Sequence, residues 1–162
     1  TVVFITRGSY YITGHELLPE RKVMFRQWPA QLSEIPTTGE RVDIFQSALQ
    51  NTVDLYSGQG KRVFIVSENP ELPFNVKSCA NFGVPRAISS NYCLPQSKSE
   101  VLKRQKLARD IWKTIGNATY IETLDLFCPT EKCNYLNSGT LLYSDDDHLS
   151  KVGSAQIGRA HV

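Results

Sequence analysis

The amino-acid sequence predicts an α/β fold built on a mostly parallel sheet. Short apolar segments typical of buried strands alternate along the chain with longer segments whose apolar residues follow helical spacing. A strand, a helix and a second strand in that order are typical of a βαβ unit, in which the two strands run parallel. The length of 162 residues, with 41% hydrophobic and 21% charged residues, suits one globular domain with a sizeable core.

The first predicted strand is Val2–Ile5, which directly follows Thr1. Because natural domains rarely begin flush inside a buried strand, we expect the domain to be incomplete at its N-terminus. The strand ends at Arg7, and Gly8 permits a sharp turn there. Prolines interrupt the polar stretch 14–39, for which we predict at most a short edge strand at 23–28.

A long helix follows, because apolar residues recur with helical spacing and glycines lie just past the end of the pattern. These apolar residues are Val42, Phe45, Leu49, Val53 and Tyr56. The second buried strand is predicted at 63–66, a second helix at about 99–115 and a third strand at 119–122. A last helix is predicted to begin near residue 150.

The four cysteines fall in two loop regions, and four cysteines allow three pairings. The simplest pairing is local and joins Cys79 to Cys93 and Cys128 to Cys133, which would cross-link the long loop 67–96 and a second loop after the third strand. Disulfides would indicate an oxidising compartment such as a bacterial periplasm or the cell exterior. Free thiols in a cytosolic protein are the alternative, and the spacings fit no standard zinc finger.

Composition narrows the choice of partners. The net charge is +2, which gives no reason to expect nucleic acid or an anionic membrane surface as a partner. No run approaches the roughly 20 apolar residues that a membrane-spanning helix needs. We predict neither a cofactor nor a metal ion.

The motif with a chemical meaning is Asp-x-x-His-Leu-Ser-x-x-Gly, which begins at Asp145 and contains His148. A serine hydroxyl needs an adjacent base, and an imidazole serves as that base when a carboxylate holds its other nitrogen. An Asp three residues before a His, on a tight turn that enters a helix, can curl back to that nitrogen. Two alternatives remain: the three consecutive Asp residues favour a helix N-terminus, or Asp145, Asp147 and His148 bind a cation.

Several motifs make the chain resemble the periplasmic SGNH domain that is fused to membrane acyltransferases of the acyltransferase-three family. The resemblance covers nearly all of residues 1–156. The motifs are Val3-Phe4-Ile5 before Arg7-x-Ser9-x-Tyr11, Gly60-Lys61-Arg62-Val63, Pro70-Glu71-Leu72-Pro73, Phe127-Cys128-Pro129 with Cys133, and Leu142-Tyr143-Ser144-Asp145-Asp146-Asp147-His148-Leu149-Ser150.

The resemblance implies a flavodoxin-like three-layer α/β/α SGNH-hydrolase fold and a serine-dependent O-acyltransferase. Members of the family O-acetylate bacterial surface polysaccharides such as the lipopolysaccharide O-antigen. The implied partners are an acyl donor and a surface glycan, and the implied parent is an inner-membrane protein with an N-terminal transmembrane domain and this domain in the periplasm. Carried over by position, His148 is the general base and Asp145 is the residue that orients it.

The sequence departs from the family pattern at the nucleophile, since Gly-Asp-Ser occurs nowhere in the chain. We therefore expect the chain to be a fragment that lacks its serine and is inactive by itself. Arg7 and Ser9 stand at the end of the first strand, where they are candidates for oxyanion or substrate binding. The alternative for Arg7 is a solvent-exposed charge at a strand end.

The sequence also leaves two alternative functions open and suggests a boundary near the C-terminus. The alternatives to the acyltransferase are an inactive glycan-binding SGNH-like module, with Tyr10, Tyr11, Trp28 and Tyr92 available for stacking on sugars, and a GDSL/SGNH carbohydrate esterase. One codon choice for residues 157–162 reproduces part of a common sequencing adapter. We therefore predict a partial SGNH domain at 1–156 followed by a non-native tail at 157–162.

Overall fold

A computed structural model of the chain describes residues 1–14, 37–79 and 93–159. The edge strand predicted at 23–28 lies outside these ranges, as do Trp28 and Tyr92. The elements in chain order are β1 (Val2–Ile5), α1 (Gly8–Thr13), α2 (Thr38–Gly58), β2 (Val63–Val66), α3 (Val76–Cys79), α4 (Lys98–Thr114), β3 (Thr119–Ile121), α5 (Leu124–Phe127), β4 (Leu136–Asn137), β5 (Thr140–Leu141) and α6 (Lys151–Arg159).

The chain divides into two compact units. The first unit comprises Thr1–Glu68 and Lys103–Glu122, and the second comprises Asn69–Leu102 and Thr123–Val162. Helix α6 runs to Arg159, and the proposed boundary at residue 156 stays a prediction. None of the helices in the described ranges combines the length and the apolar composition that crossing a membrane requires.

The first unit contains the predicted parallel sheet. Its strand order is β1-β2-β3, and Val2 pairs with Val63 while Phe64 pairs with Thr119. Helix α2 begins with a capping box, in which Thr37 Oγ1 accepts from the Glu40 N–H and the Glu40 carboxylate accepts from the Thr37 N–H. The buried apolar core is formed by Ile12, Leu49, Val53, Val63, Ile65, Ala108, Ile111, Trp112 and Ile115.

The sharp turn predicted at Gly8 is instead the first residue of helix α1. A Cβ atom at Gly8 would lie 2.7 Å from Cζ2 of Trp112 and 2.8 Å from Cβ of Ala108. The glycine therefore permits close packing of α1 on α4. The sequence position after a strand gave no sign of this contact, because Trp112 is far away along the chain.

A buried arginine links α4 to the end of the sheet in the first unit. The Arg109 side chain is 4% exposed and forms an ion pair with Glu122, which follows β3. The guanidinium also donates to Oε1 of Gln105 at 3.0 and 2.6 Å. These contacts offset the free-energy cost of removing the guanidinium from water.

The second unit has its own core and contains both predicted disulfides, Cys79–Cys93 and Cys128–Cys133. The local cysteine pairing is therefore confirmed. The short β4–β5 hairpin, which sequence reasoning missed, turns through residues 138 and 139, both with positive φ. The buried core residues are Leu72, Phe74, Val76, Val101, Leu124, Phe127, Cys128, Cys133, Leu142 and Tyr143.

Candidate active site

The acidic loop, defined as residues 144–148, is a tight turn between β5 and α6 in the second unit. The Ser144 N–H donates to the His148 carbonyl at 2.7 Å, and the Ser150 N–H donates to the Leu142 carbonyl at 2.9 Å. Tyr143 and Leu149 form an antiparallel bridge across the base of the turn. These contacts close the loop and fix the backbone positions from which its side chains extend.

Asp145 is oriented by the backbone of its own loop. Its Oδ1 accepts from the Asp147 N–H at 3.0 Å and from the His148 N–H at 2.8 Å. Burial favours the protonated acid, but hydrogen bonds from the His148 and Asp147 backbone, with the Asp147 side chain and the His148 charge, lower the Asp145 pKa to about 2. Asp145 is therefore a carboxylate across the physiological pH range.

The His148 ring presents one nitrogen to Asp145. Its Nδ1 lies 3.1 Å from Oδ1 and 3.0 Å from Oδ2 of that carboxylate. A carboxylate at Nδ1 favours the tautomer with the proton on Nδ1, which leaves the lone pair on Nε2. The side chain is 72% exposed, and in the described part of the chain no residue hydrogen-bonds to Nε2. This geometry would suit a base and the acid that orients it.

A neighbouring segment, the brace (residues 69–72), holds the acidic loop from outside. Asn69 Nδ2 donates to the Asp147 carbonyl at 3.0 Å, and the Leu72 N–H donates to the Asp146 carbonyl at 2.7 Å. Sequence reasoning missed Asn69, which precedes the Pro-Glu-Leu-Pro motif by one residue. The Pro-Glu-Leu-Pro motif was the one sequence feature that pointed to the brace.

Tyr143 supports the brace from the base of the acidic loop. Its hydroxyl donates to the Pro70 carbonyl at 2.9 Å. Burial of the phenol raises the Tyr143 pKa, so the hydroxyl keeps the proton that it donates. The brace and the acidic loop are thereby tied at three backbone carbonyls, those of residues 70, 146 and 147.

The last glycine of the sequence motif has a packing role. A Cβ at Gly153 would lie 2.0 Å from the Leu142 carbonyl oxygen. Ser150 Oγ accepts from the Gly153 N–H at 3.1 Å and donates to the Leu141 carbonyl at 2.7 Å. Only a glycine lets the first turn of α6 approach the chain before the acidic loop this closely.

The same loop offers one group of potential metal ligands in the described ranges. Ligand atoms of Asp145, Asp147 and His148 lie within 4.8 Å of one another. A metal ion would take the lone pair of one ring nitrogen of His148, whereas a base arrangement needs the proton on Nδ1 and an open lone pair on Nε2. The two uses of the site therefore exclude each other.

Arg7 and Ser9, the other predicted site residues, belong to the first unit. Ser9 is buried, and both its hydroxyl and its N–H donate to the Glu68 carboxylate, the N–H at 3.1 Å. The Arg7 guanidinium lies 4.9 Å from the ring centroid of Tyr10. Glu68 follows β2 and was missed, because nothing in the local sequence pairs it with a serine far along the chain.

Comparisons with known proteins agree with this fold. A family model described as the SGNH domain fused to AT3 domains matches residues 1–161. A solved structure, the periplasmic domain of the lipopolysaccharide acetyltransferase of Salmonella ser. Paratyphi A, is similar with a TM-score of 0.51 and 20% identity.

The alignment with that structure covers 74% of this chain and 49% of the solved chain, so the chain spans about half the length of the relative. No curated protein matches the chain. The family match and the parallel sheet flanked by helices confirm the predicted α/β SGNH fold. The chain belongs to the family of SGNH domains fused to AT3 domains.

Proposed function

We propose that this chain is part of an O-acyltransferase that moves an acetyl group to a hydroxyl of an extracytoplasmic bacterial polysaccharide. The observation that carries the proposal is the contact of His148 Nδ1 with the Asp145 carboxylate at 3.0 Å. The family membership and the likeness to an acetyltransferase domain support the same chemistry. Two disulfides suit the oxidising periplasm, where the domain would lie beside a membrane-bound acyltransferase domain of the parent protein.

The proposed reaction has two acyl-transfer steps. A serine hydroxyl attacks the acyl carbonyl while His148 Nε2 takes the hydroxyl proton, and His148 then gives that proton to the departing donor group. In the second step a sugar hydroxyl attacks the serine ester, its proton passes to Nε2, and the serine oxygen recovers a proton as the sugar ester leaves. Asp145 holds the Nδ1 proton and stabilises the imidazolium in both steps.

The nucleophile is proposed to come from outside these 162 residues, since no Gly-Asp-Ser motif is present. The isolated chain would then lack esterase activity, while the parent protein would have it. Arg7 is a proposed contributor to oxyanion or substrate binding, and Ser9 would contribute only by giving up its hydrogen bonds to the Glu68 carboxylate. A catalytic burst from the isolated chain on an activated acetate ester, lost in His148→Ala, would contradict this part of the proposal.

The test of the function uses the parent protein in membranes and follows the transfer of labelled acetyl to polysaccharide. We expect His148→Ala to lower the rate on the order of a thousandfold or more, and Asp145→Asn to lower it by about 10- to 100-fold. Asp125→Asn is the matched control, because it removes one carboxylate whose described ion pair is an exposed contact with Lys98. A transfer rate within about twofold of wild type in both site variants would refute the proposal. Removal of one side chain of such a triad lowers the rate by much more than twofold.

Water competes with the sugar for the same acyl-enzyme. The label released as free acetate, compared with the label on polysaccharide, separates an esterase from a transferase. We expect the polysaccharide product to dominate when the acceptor is present. Release of acetate alone would favour the carbohydrate esterase.

A further inference from the structure

We propose that Asp147 is a positioning residue, a second carboxylate that holds Nδ1 of His148 beside Asp145. The inference rests on the proposed function, in which His148 is the base. Asp147 Oδ1 lies 2.9 Å from His148 Nδ1, as close as the nearer oxygen of Asp145 at 3.0 Å. Nδ1 therefore faces two carboxylates, whereas the sequence motif assigns it one.

The backbone fixes this second contact. The peptide group between Asp147 and His148 is held at both ends, because its carbonyl accepts from Asn69 Nδ2 at 3.0 Å and its N–H donates to Asp145 Oδ1 at 2.8 Å. A peptide plane fixed in this way fixes the positions of both neighbouring Cα atoms, from which the two side chains start. The Asp147 side chain is 3% exposed, so it cannot turn away into solvent without leaving its packed position.

The two carboxylates make different contacts with the ring. Both oxygens of Asp145 satisfy hydrogen-bond geometry to Nδ1, whereas Asp147 Oδ1 lies within contact distance of Nδ1 without that geometry and forms an ion pair when the ring is protonated. Two carboxylates this close repel each other, and the burial of Asp147 adds a desolvation cost. A positive ring between them offsets both costs. The arrangement therefore stabilises the imidazolium that forms when His148 takes the proton of a hydroxyl.

The geometry also makes Asp147 a reserve acceptor for the Nδ1 proton. If Asp145 loses its charge, the nearest remaining carboxylate oxygen is 2.9 Å from Nδ1. A small movement of the ring would convert that contact into a hydrogen bond. The loss of both carboxylates would leave the imidazole free to populate either tautomer.

The test is the tautomer of His148 in the 162-residue chain, read by long-range 1H–15N NMR of the imidazole. The chain has three His, so His15 and His161 serve as internal references in each sample. We expect the Nδ1–H form in wild type, in Asp145→Asn and in Asp147→Asn, and a mixture of tautomers in the double variant. Complete loss of the Nδ1–H form in Asp145→Asn, equal to that in the double variant, would overturn the proposal.

Backbone amide spectra report whether each variant folds. Should Asp147→Asn fail to fold, Asn69→Ala tests the same geometry, because it releases the carbonyl that fixes the Asp147 side chain. The Nδ1 proton should then exchange with water about tenfold faster, as expected for the loss of one hydrogen bond near a charged group. An unchanged exchange rate in Asn69→Ala would count against the proposal.

Acetyl transfer by the parent protein separates the positioning role from the function itself. Asp147→Asn should lower kcat by about 10- to 100-fold with KM unchanged, as expected when a residue that orients a functional side chain is lost. Asp147→Glu should restore part of the lost activity. If the tautomers follow the prediction and His148→Ala leaves transfer intact, the proposed function fails and the positioning role stands. Loss of transfer in His148→Ala with wild-type kcat in Asp147→Asn rejects the positioning role alone.

Discussion

Gly153→Ala places a Cβ atom inside the backbone that carries the acidic loop. The new atom would lie 2.0 Å from the Leu142 carbonyl oxygen, about 1 Å inside the shortest ordinary contact. Backbone atoms cannot rotate aside, so the first turn of α6 must move by a similar distance. We expect overpacking of this kind to cost about 1–3 kcal/mol.

The movement also disturbs two hydrogen bonds of Ser150, to the Gly153 N–H and to the Leu141 carbonyl, each worth about 1 kcal/mol. The higher helix propensity of alanine stabilises the folded state by about 1 kcal/mol and offsets part of this cost. The free energy of unfolding should therefore fall by about 2–4 kcal/mol in total.

Gly158→Ala is the matched control on the same helix, because no heavy atom lies within 4 Å of its added Cβ. It should raise the free energy of unfolding by up to about 1 kcal/mol through helix propensity. Urea unfolding followed by far-ultraviolet circular dichroism measures both variants. Equal stability of Gly153→Ala and Gly158→Ala would refute the packing role assigned to Gly153.

Three other predictions concern charges and cross-links. Because the pKa of Asp145 is lowered to about 2, its carboxylate contributes about 1–2 kcal/mol to the free energy of unfolding above pH 4, and this contribution is lost as the pH falls towards 2. In Asp145→Asn the free energy of unfolding, measured with urea, should therefore depend less on pH between about 4 and 2. Glu122→Ala leaves the buried guanidinium of Arg109 without its carboxylate and should cost about 2–3 kcal/mol by urea unfolding, against below 1 for Asp125→Ala at an exposed pair. Reduction of the disulfides, which close loops with sequence separations of 14 and 5, should cost about 2–3 kcal/mol each in thermal or urea unfolding, and unchanged stability would contradict the chain-entropy argument.

Local patterns predicted much of the first unit. The helical spacing of apolar residues placed α2, and the Val63–Val66 run placed β2 in the parallel sheet. Helix α2 follows from the spacing of the apolar residues on its buried face, and β2 follows from a continuous apolar run in which three of four residues are buried. The Asp145–His148 contact was also predicted, since both residues lie on one tight turn whose spacing limits their separation.

The contacts that hold the site were not predictable from local patterns. Asn69 reaches the Asp147 carbonyl across 78 residues of sequence, and Ser9 reaches Glu68 across 59. Such pairs depend on how distant segments pack, and no local periodicity records them. The same reason explains why the sequence suggested a turn at Gly8, where a helix packs tightly.

His148 is proposed to act as the base for a serine that carries the acyl group. The most direct measurement is mass spectrometry of the parent protein after brief reaction with an activated acetate ester. We expect an acetyl group on one serine of the parent, and no acetylated serine in His148→Ala. An acetylated serine that forms at the wild-type rate in His148→Ala, or acetyl transfer with no serine ester in wild type, would contradict it.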